Sequence, residues 1–193
     1  MSGNGATVAT AAPRCRLLTA AQALEFAILT AAQSGEVIGA RWDEFDLDRA
    51  VWTIPAARMK AGREHRVPLS RRALKIVRAM HEARNGHFVF PGQKPGKPLS
   101  VMALEMVLRR MKIEDATVHG FRSAFRDWAA ERTNVTNEVC EAALAHVIEN
   151  KAEAAYRRGD LFDKRRKLME AWAIACAPRA AEANVVPIRV ARL

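Results

Sequence analysis

Between residues 42 and 69 the chain abandons helical spacing for three short extended runs, and this interruption does most to limit the fold. Trp42–Leu47, Ala50–Ile54 (AVWTI) and His65–Leu69 (HRVPL) are too short for helices and rich in Trp, Val and Ile, with Pro55 closing the second run. Proline cannot donate to a sheet ladder, so it marks strand ends and edges. Between the last two runs lies Arg58-Met59-Lys60-Ala61-Gly62-Arg63, a glycine-containing turn loaded with positive charge. The pattern predicts a small three-stranded antiparallel β-sheet whose tight connection presents Lys60.

Helical patterns flank this insert on both sides. A first helix is expected from Leu17, with Thr19 as its N-cap and Leu24, Phe26, Ala27, Ile28 and Ala31 as its apolar face, followed by a short helical stretch over Gly35–Ala40. Ser70–Arg84 is basic and amphipathic, and a Gly/Pro-rich loop, Pro91–Pro98, follows the run FVF. Further helices are predicted at Ser100–Met111, Gly120–Thr133, Asn137–Ala145, Lys151–Arg158 and Phe162–Ala175. Met1–Arg16 reads as a flexible lead-in, and residues 178–193 as a tail with an extended piece at Val185–Val190. The expectation is one α+β domain over residues 17–177, mainly α with a small antiparallel sheet.

Charge and cysteine usage narrow the class of partner. Thirty-one Lys and Arg against 21 Asp and Glu leave a formal net charge of +10, which favours a polyanion, nucleic acid before anionic membrane. Cys15, Cys140 and Cys176 are an odd set with no CxxC pair, which argues against a disulfide framework or a zinc site and fits a reducing cytoplasm. No apolar run reaches the ~18 residues a membrane span needs, so no membrane partner is expected.

Four features could carry chemistry. His119-Gly-Phe-Arg122 sets an imidazole and a guanidinium three residues apart on one side of a helical turn, Lys60 sits in the basic turn, His146 closes Ala142-Ala-Leu-Ala-His146, and Tyr156 is the chain's single tyrosine. Each has a plain structural alternative: a helix cap or packed ring, a solvated lysine, a tyrosine that buries its ring. Their order and the wording around them carry more. The blocks RMKAGREHRVPLS, HGFRSAFRDWAAERT, EAALAH and AAYRRGDLFDKRRKLMEAWA resemble bacterial prophage integrases, members of the tyrosine recombinase family, from about Leu17 to about Ala175.

The resemblance implies the tyrosine recombinase catalytic-domain fold and a reaction on double-stranded DNA that needs no cofactor and no metal. Tyr156 would attack the scissile phosphate and form a 3′-phosphotyrosyl link. Arg122 would be one of two arginines stabilising the pentavalent transition state, because a guanidinium is planar, permanently charged and bidentate toward phosphate. Lys60 would protonate the departing 5′ oxygen, while His119 and His146 would bond the phosphate and assist proton transfer. Arg58, Arg63, Arg66, Arg71, Arg72, Arg157 and Arg158 would line a DNA-facing surface. The resemblance also implies a tetramer on DNA, in a bacterial cytoplasm at the nucleoid.

One position departs from the family. Its first catalytic arginine lies in a block reading roughly LTAAR-SGE, and here Leu29-Thr-Ala-Ala-Gln33-Ser-Gly-Glu36 places Gln33 there. Ile38 stands where a further arginine often follows; Arg41 comes eight residues after Gln33. Losing one transition-state donor costs about 2.7–4 kcal/mol, or 10²–10³ in rate. Nothing before Leu17 is expected to serve as the N-terminal domain with which family members grip core-site DNA. Two readings therefore stand: a recombinase impaired at Gln33, or a catalytically inactive DNA-binding remnant. A basic scaffold or RNA-binding protein would leave the ordered blocks unexplained.

Overall fold

The computed structural model describes residues 13–146 and 160–178. Its first helix, α1 (Pro13–Thr30), begins earlier than Thr19 predicts. A proline at the first helical position loses nothing by lacking an N–H there, and the residues after it are good helix formers, so Thr19 lies inside the helix with its side chain buried. Pro13–Arg16 thus belong to α1 and not to the lead-in; Met1–Ala12 fall outside the described residues.

Helix α1 runs through the middle of the fold. Ala20, Ala23, Leu24, Phe26, Ala27 and Leu29 are all buried. Full burial of a side chain such as Phe26 contributes about 1.5–3 kcal/mol. Its ring meets Trp52 at 5.4 Å and Phe90 at 5.6 Å, tying helix to sheet and to the strand-like run after α3 (Arg71–Glu82). At the end of α1 the Thr30 hydroxyl donates to the Phe26 carbonyl, and Ala31 takes a left-handed φ of 49° that turns the chain into α2 (Ser34–Ile38).

The sheet is three-stranded and antiparallel, in the order β1 (Phe45–Asp46), β2 (Val51–Ile54), β3 (His65–Pro68). Register pairs Phe45 with Trp52, Trp52 with Val67 and Ile54 with His65. The first extended run is shorter than expected, because Trp42–Glu44 forms a 3₁₀ turn. The cause is Glu44, whose carboxylate turns back to accept from the Arg41 N–H and from the Trp52 indole. The β2–β3 connection is also looser than a tight hairpin. It contains a second 3₁₀ turn, Ala56–Arg58, is anchored by buried Met59, and closes through Gly62 at φ 62°.

The remaining helices are α3, α4 (Ala103–Arg110), α5 (Gly120–Arg132), α6 (Asn137–Ala143) and α7 (Phe162–Ala175). Ser70 caps α3 through its hydroxyl, and Ala73, Ile76, Val77 and Met80 give it the i, i+3, i+4, i+7 face that buries. Phe125 and Ala129 of α5, Val139 and Cys140 of α6, and Leu168, Met169 and Trp172 of α7 form a second cluster beside the main core. The expected helix at Lys151–Arg158 and the extended piece at Val185–Val190 lie outside the described residues. No helix among the described residues is long and apolar enough to cross a membrane.

Candidate functional site

Three backbone turns converge near the start of α5. The α1–α2 junction supplies Ala31, Gln33 and Glu36; the first turn of α5 supplies His119 and Arg122; the end of α6 supplies Leu144 and His146. Arg122 joins them. Its side chain is buried, with Nη1 donating to the Ala31 carbonyl and Nη2 donating to the Leu144 carbonyl at 2.8 Å. Nη2 also stands 3.5 Å from Nε2 of His146. Burial lowers the arginine's pKa, and the nearby charge of Glu36 opposes that shift. An arginine remains protonated through such a change, so the turns enclose a fixed positive charge with no direct ion pair among the described residues.

Glu36 is buried and accepts the Gln33 N–H at 2.8 Å, as the third residue of a helix often does toward its N-cap. Burial raises its pKa; the bond from Gln33 and the charges of Arg122 and Arg58 pull the other way. Gln33 itself is exposed at the N-cap of α2. His119 is exposed as well and does not cap α5, since the Gly120 N–H is taken by the Thr117 hydroxyl at 3.0 Å.

Lys60 and Arg63 are exposed on the β2–β3 connection. Arg58, grouped above with the surface cations, is instead turned inward. Its guanidinium pairs with buried Glu44 and donates to the Glu36 carbonyl, which ties this connection to the same short helix that carries Glu36. Arg66 pairs with Asp160 and lies over the Phe162 ring, Arg71 pairs with Glu170, and Arg72 pairs with Glu25. Tyr156, Arg157 and Arg158 lie outside the described residues.

Two groups escaped the sequence reading. His65 opens β3 and is largely buried, with its pKa pushed down to about 4, first by burial and then by the charge of Arg165. The Ala143 backbone beside it and the charge of Asp160 work against that shift. Glu141 on α6 sets a carboxylate oxygen 2.6 Å from Nδ1 of His146. Only the Glu-x4-His spacing could have hinted at Glu141, and nothing local marks His65. An open hollow of about 770 Å³, lined by Pro91, Lys97, Met106 and Arg110 among others, contains none of these residues.

Comparison with known proteins gives the same direction. The phage integrase family matches residues 6–160. The prophage integrase IntA of Escherichia coli K12 is 40% identical over 149 residues, covering 76% of this chain and 36% of that protein. The integrase of Enterobacteria phage P4 is 34% identical over 181 residues, covering 84% and 41%. The chain thus spans well under half the length of these relatives. Among solved structures, a lambda integrase (75–356) dimer bound to a COC′ core site superposes with a TM-score of 0.50 at 18% identity, covering 76% of this chain and 57% of that one; it supports the fold. On a family match that spans most of its residues, and on relatives this similar, the chain belongs to the phage integrase family.

Proposed function

We propose that this chain is the catalytic domain of a site-specific DNA recombinase and that the converging turns around Arg122 receive the scissile phosphate of double-stranded DNA. The observation that carries this reading is the buried Arg122 guanidinium, held by two carbonyls beside His146, with no direct carboxylate partner among the described residues. Donors fixed in advance and poorly solvated stabilise developing phosphate charge far better than mobile ones in water. In the proposed reaction the Tyr156 phenol gives its proton to one of the two histidines as its oxygen bonds to phosphorus and the bond from phosphorus to the 5′ oxygen breaks. Lys60 protonates that oxygen, and His119 and His146 bond the phosphate oxygens and assist proton transfer. A 5′-hydroxyl from a second strand then reverses the step and releases Tyr156. The bond energy stays in the phosphotyrosyl link, so no nucleotide is consumed. The working assembly is a tetramer on DNA.

Gln33 favours a second reading, an inactive DNA-binding remnant of an integrase. It is exposed at the N-cap of α2 and supplies no charge, and by the resemblance of its block it stands where the family carries arginine. One assay separates the two: denaturing-gel detection of protein covalently joined to nicked DNA, with the chain fused to the DNA-gripping segment of a longer relative. The chain as it stands should give little adduct. Gln33→Arg should raise adduct formation by roughly 10²–10³, and Tyr156→Phe in that background should abolish it. No rescue by Gln33→Arg would leave the remnant as the better reading. Strong cleavage by the Gln33 chain would show that another cation substitutes, with Arg41 the first to test.

A further inference from the structure

We infer that Glu141 is a positioning residue that holds His146 as the Nδ1–H tautomer and so presents a bare Nε2 to the Arg122 guanidinium. The backbone sets up the contact. Helix α6 ends in a left-handed Ala145, φ 55°, whose N–H bonds back to the Ala142 carbonyl while the His146 N–H bonds to the Glu141 carbonyl at 3.0 Å. This paired closure of a helix end usually employs glycine, because a side chain strains the left-handed conformation. Here it folds His146 back over Glu141, and the side chains meet as well, with Nδ1 2.6 Å from Oε2.

The chemistry of the two neighbours fixes the proton. A carboxylate can only accept, so the nitrogen against it carries the hydrogen. A guanidinium can only donate, so Nε2, which faces Arg122 Nη2 at 3.5 Å, offers its lone pair. The other oxygen of Glu141 lies 3.0 Å from Nε of Arg126, an ionic contact without hydrogen-bond alignment. Arg122 and Arg126 are four residues apart on α5, hence on one face. Arg122, His146, Glu141 and Arg126 therefore form a ring closed by a single turn of helix. Glu141 is mostly shielded from solvent while His146 is 44% exposed, so the carboxylate is the fixed partner and the imidazole the accessible one. With the ring oriented this way, Nε2 must first take up a proton before His146 can bond a phosphate oxygen, and the carboxylate offsets the charge that would then sit between two guanidiniums. That use in strand cleavage rests on the function proposed above; the tautomer does not.

The test needs no DNA, which keeps it separate from the cleavage assay. Long-range ¹H–¹⁵N correlation spectra of the ¹⁵N-labelled chain at about pH 8–9, where neutral imidazoles dominate, report which ring nitrogen carries the proton. The His146 signal is assigned by its loss in His146→Gln. In the unaltered chain the Nδ1–H form should exceed the other roughly tenfold or more, as expected for a bond to a charged acceptor. Glu141→Leu should shift His146 toward the Nε2–H form, and Glu141→Gln, whose amide oxygen still accepts, should retain Nδ1–H. A His146 protonated at Nε2 in the unaltered chain would overturn the inference without any variant, and so would a Glu141→Leu spectrum identical to the original.

Discussion

His65 shows how a single side chain can couple this fold to pH. Its pKa falls from 6.5 to about 4, chiefly through burial, with the Arg165 and Arg122 charges adding to the fall and the Ala143 backbone and Asp160 opposing it. In the unfolded chain the imidazole takes up a proton near pH 6.5; in the folded chain it resists until about pH 4. The unfolded state therefore binds more protons across that interval, and stability rises with pH there. The contribution is complete above pH 6.5 and is lost as pH falls toward 4, up to about 3 kcal/mol in all. Urea unfolding of the unaltered chain and His65→Gln at about pH 7.5 and 4.5 should show the difference between them shrinking at the acid end. The comparison also cancels the background from Glu36, whose raised pKa works in the opposite direction. A difference that is the same at both pH values would show that His65 is not shielded from protonation.

At the scale of elements, α2 and the β2–β3 connection are joined by Arg58, and Gly39 leaves room for that joint. A Cβ on Gly39 would stand 2.7 Å from Nη2 of Arg58 and 3.2 Å from the Gly35 carbonyl. The backbone at Gly39 has an ordinary negative φ, so sterics and not conformational freedom require glycine here. Gly39→Ala should force Arg58 away from Glu44 and the Glu36 carbonyl and cost about 1–3 kcal/mol, read by thermal or urea unfolding. In an Arg58→Ala background the same substitution should cost less, because only the milder contact with the Gly35 carbonyl remains. Equal costs in both backgrounds would place the strain in the backbone instead. Arg58→Ala alone should itself be damaging, since it leaves the buried Glu44 carboxylate without its cation.

Across the whole molecule, a net charge of +10 conceals cations of very different standing. Arg66, Arg71 and Arg72 each face a carboxylate within the fold, whereas Lys60 and Arg63 project from the β2–β3 connection with no ion pair among the described residues. Exposed pairs add only about 0–1 kcal/mol to stability, yet each must be broken before its arginine can neutralise a phosphate. If the proposed function holds, DNA affinity should fall steeply with salt, with log K declining by about 0.9 per phosphate neutralised. Substituting Lys60 and Arg63 by alanine together should flatten that slope by roughly 2, and Arg71→Ala should change it less. Affinity that barely moves between low and high salt would exclude phosphate contacts as the main source of binding.

The residues themselves determined much of this. The breakdown of helical spacing over residues 42–69, with Pro55 and Gly62 as punctuation, was enough for a three-stranded sheet inside a helical domain, because period and turn chemistry are local properties. The HGFR and EAALAH blocks marked Arg122 and His146 as candidates only through their order and their resemblance to a family. Tertiary structure decided what each side chain meets. That Thr19 sits mid-helix, that Glu44 bends the first extended run into a 3₁₀ turn, and that Arg58 turns inward all depend on partners distant in the chain or on a start signal that outcompetes a cap. The contacts that hold Arg122, to carbonyls 91 and 22 residues away, have no local signature. Sequence fixes the type of a functional group, but its charge state, tautomer and direction depend on the field and hydrogen bonds of neighbours that only folding brings within a few ångströms.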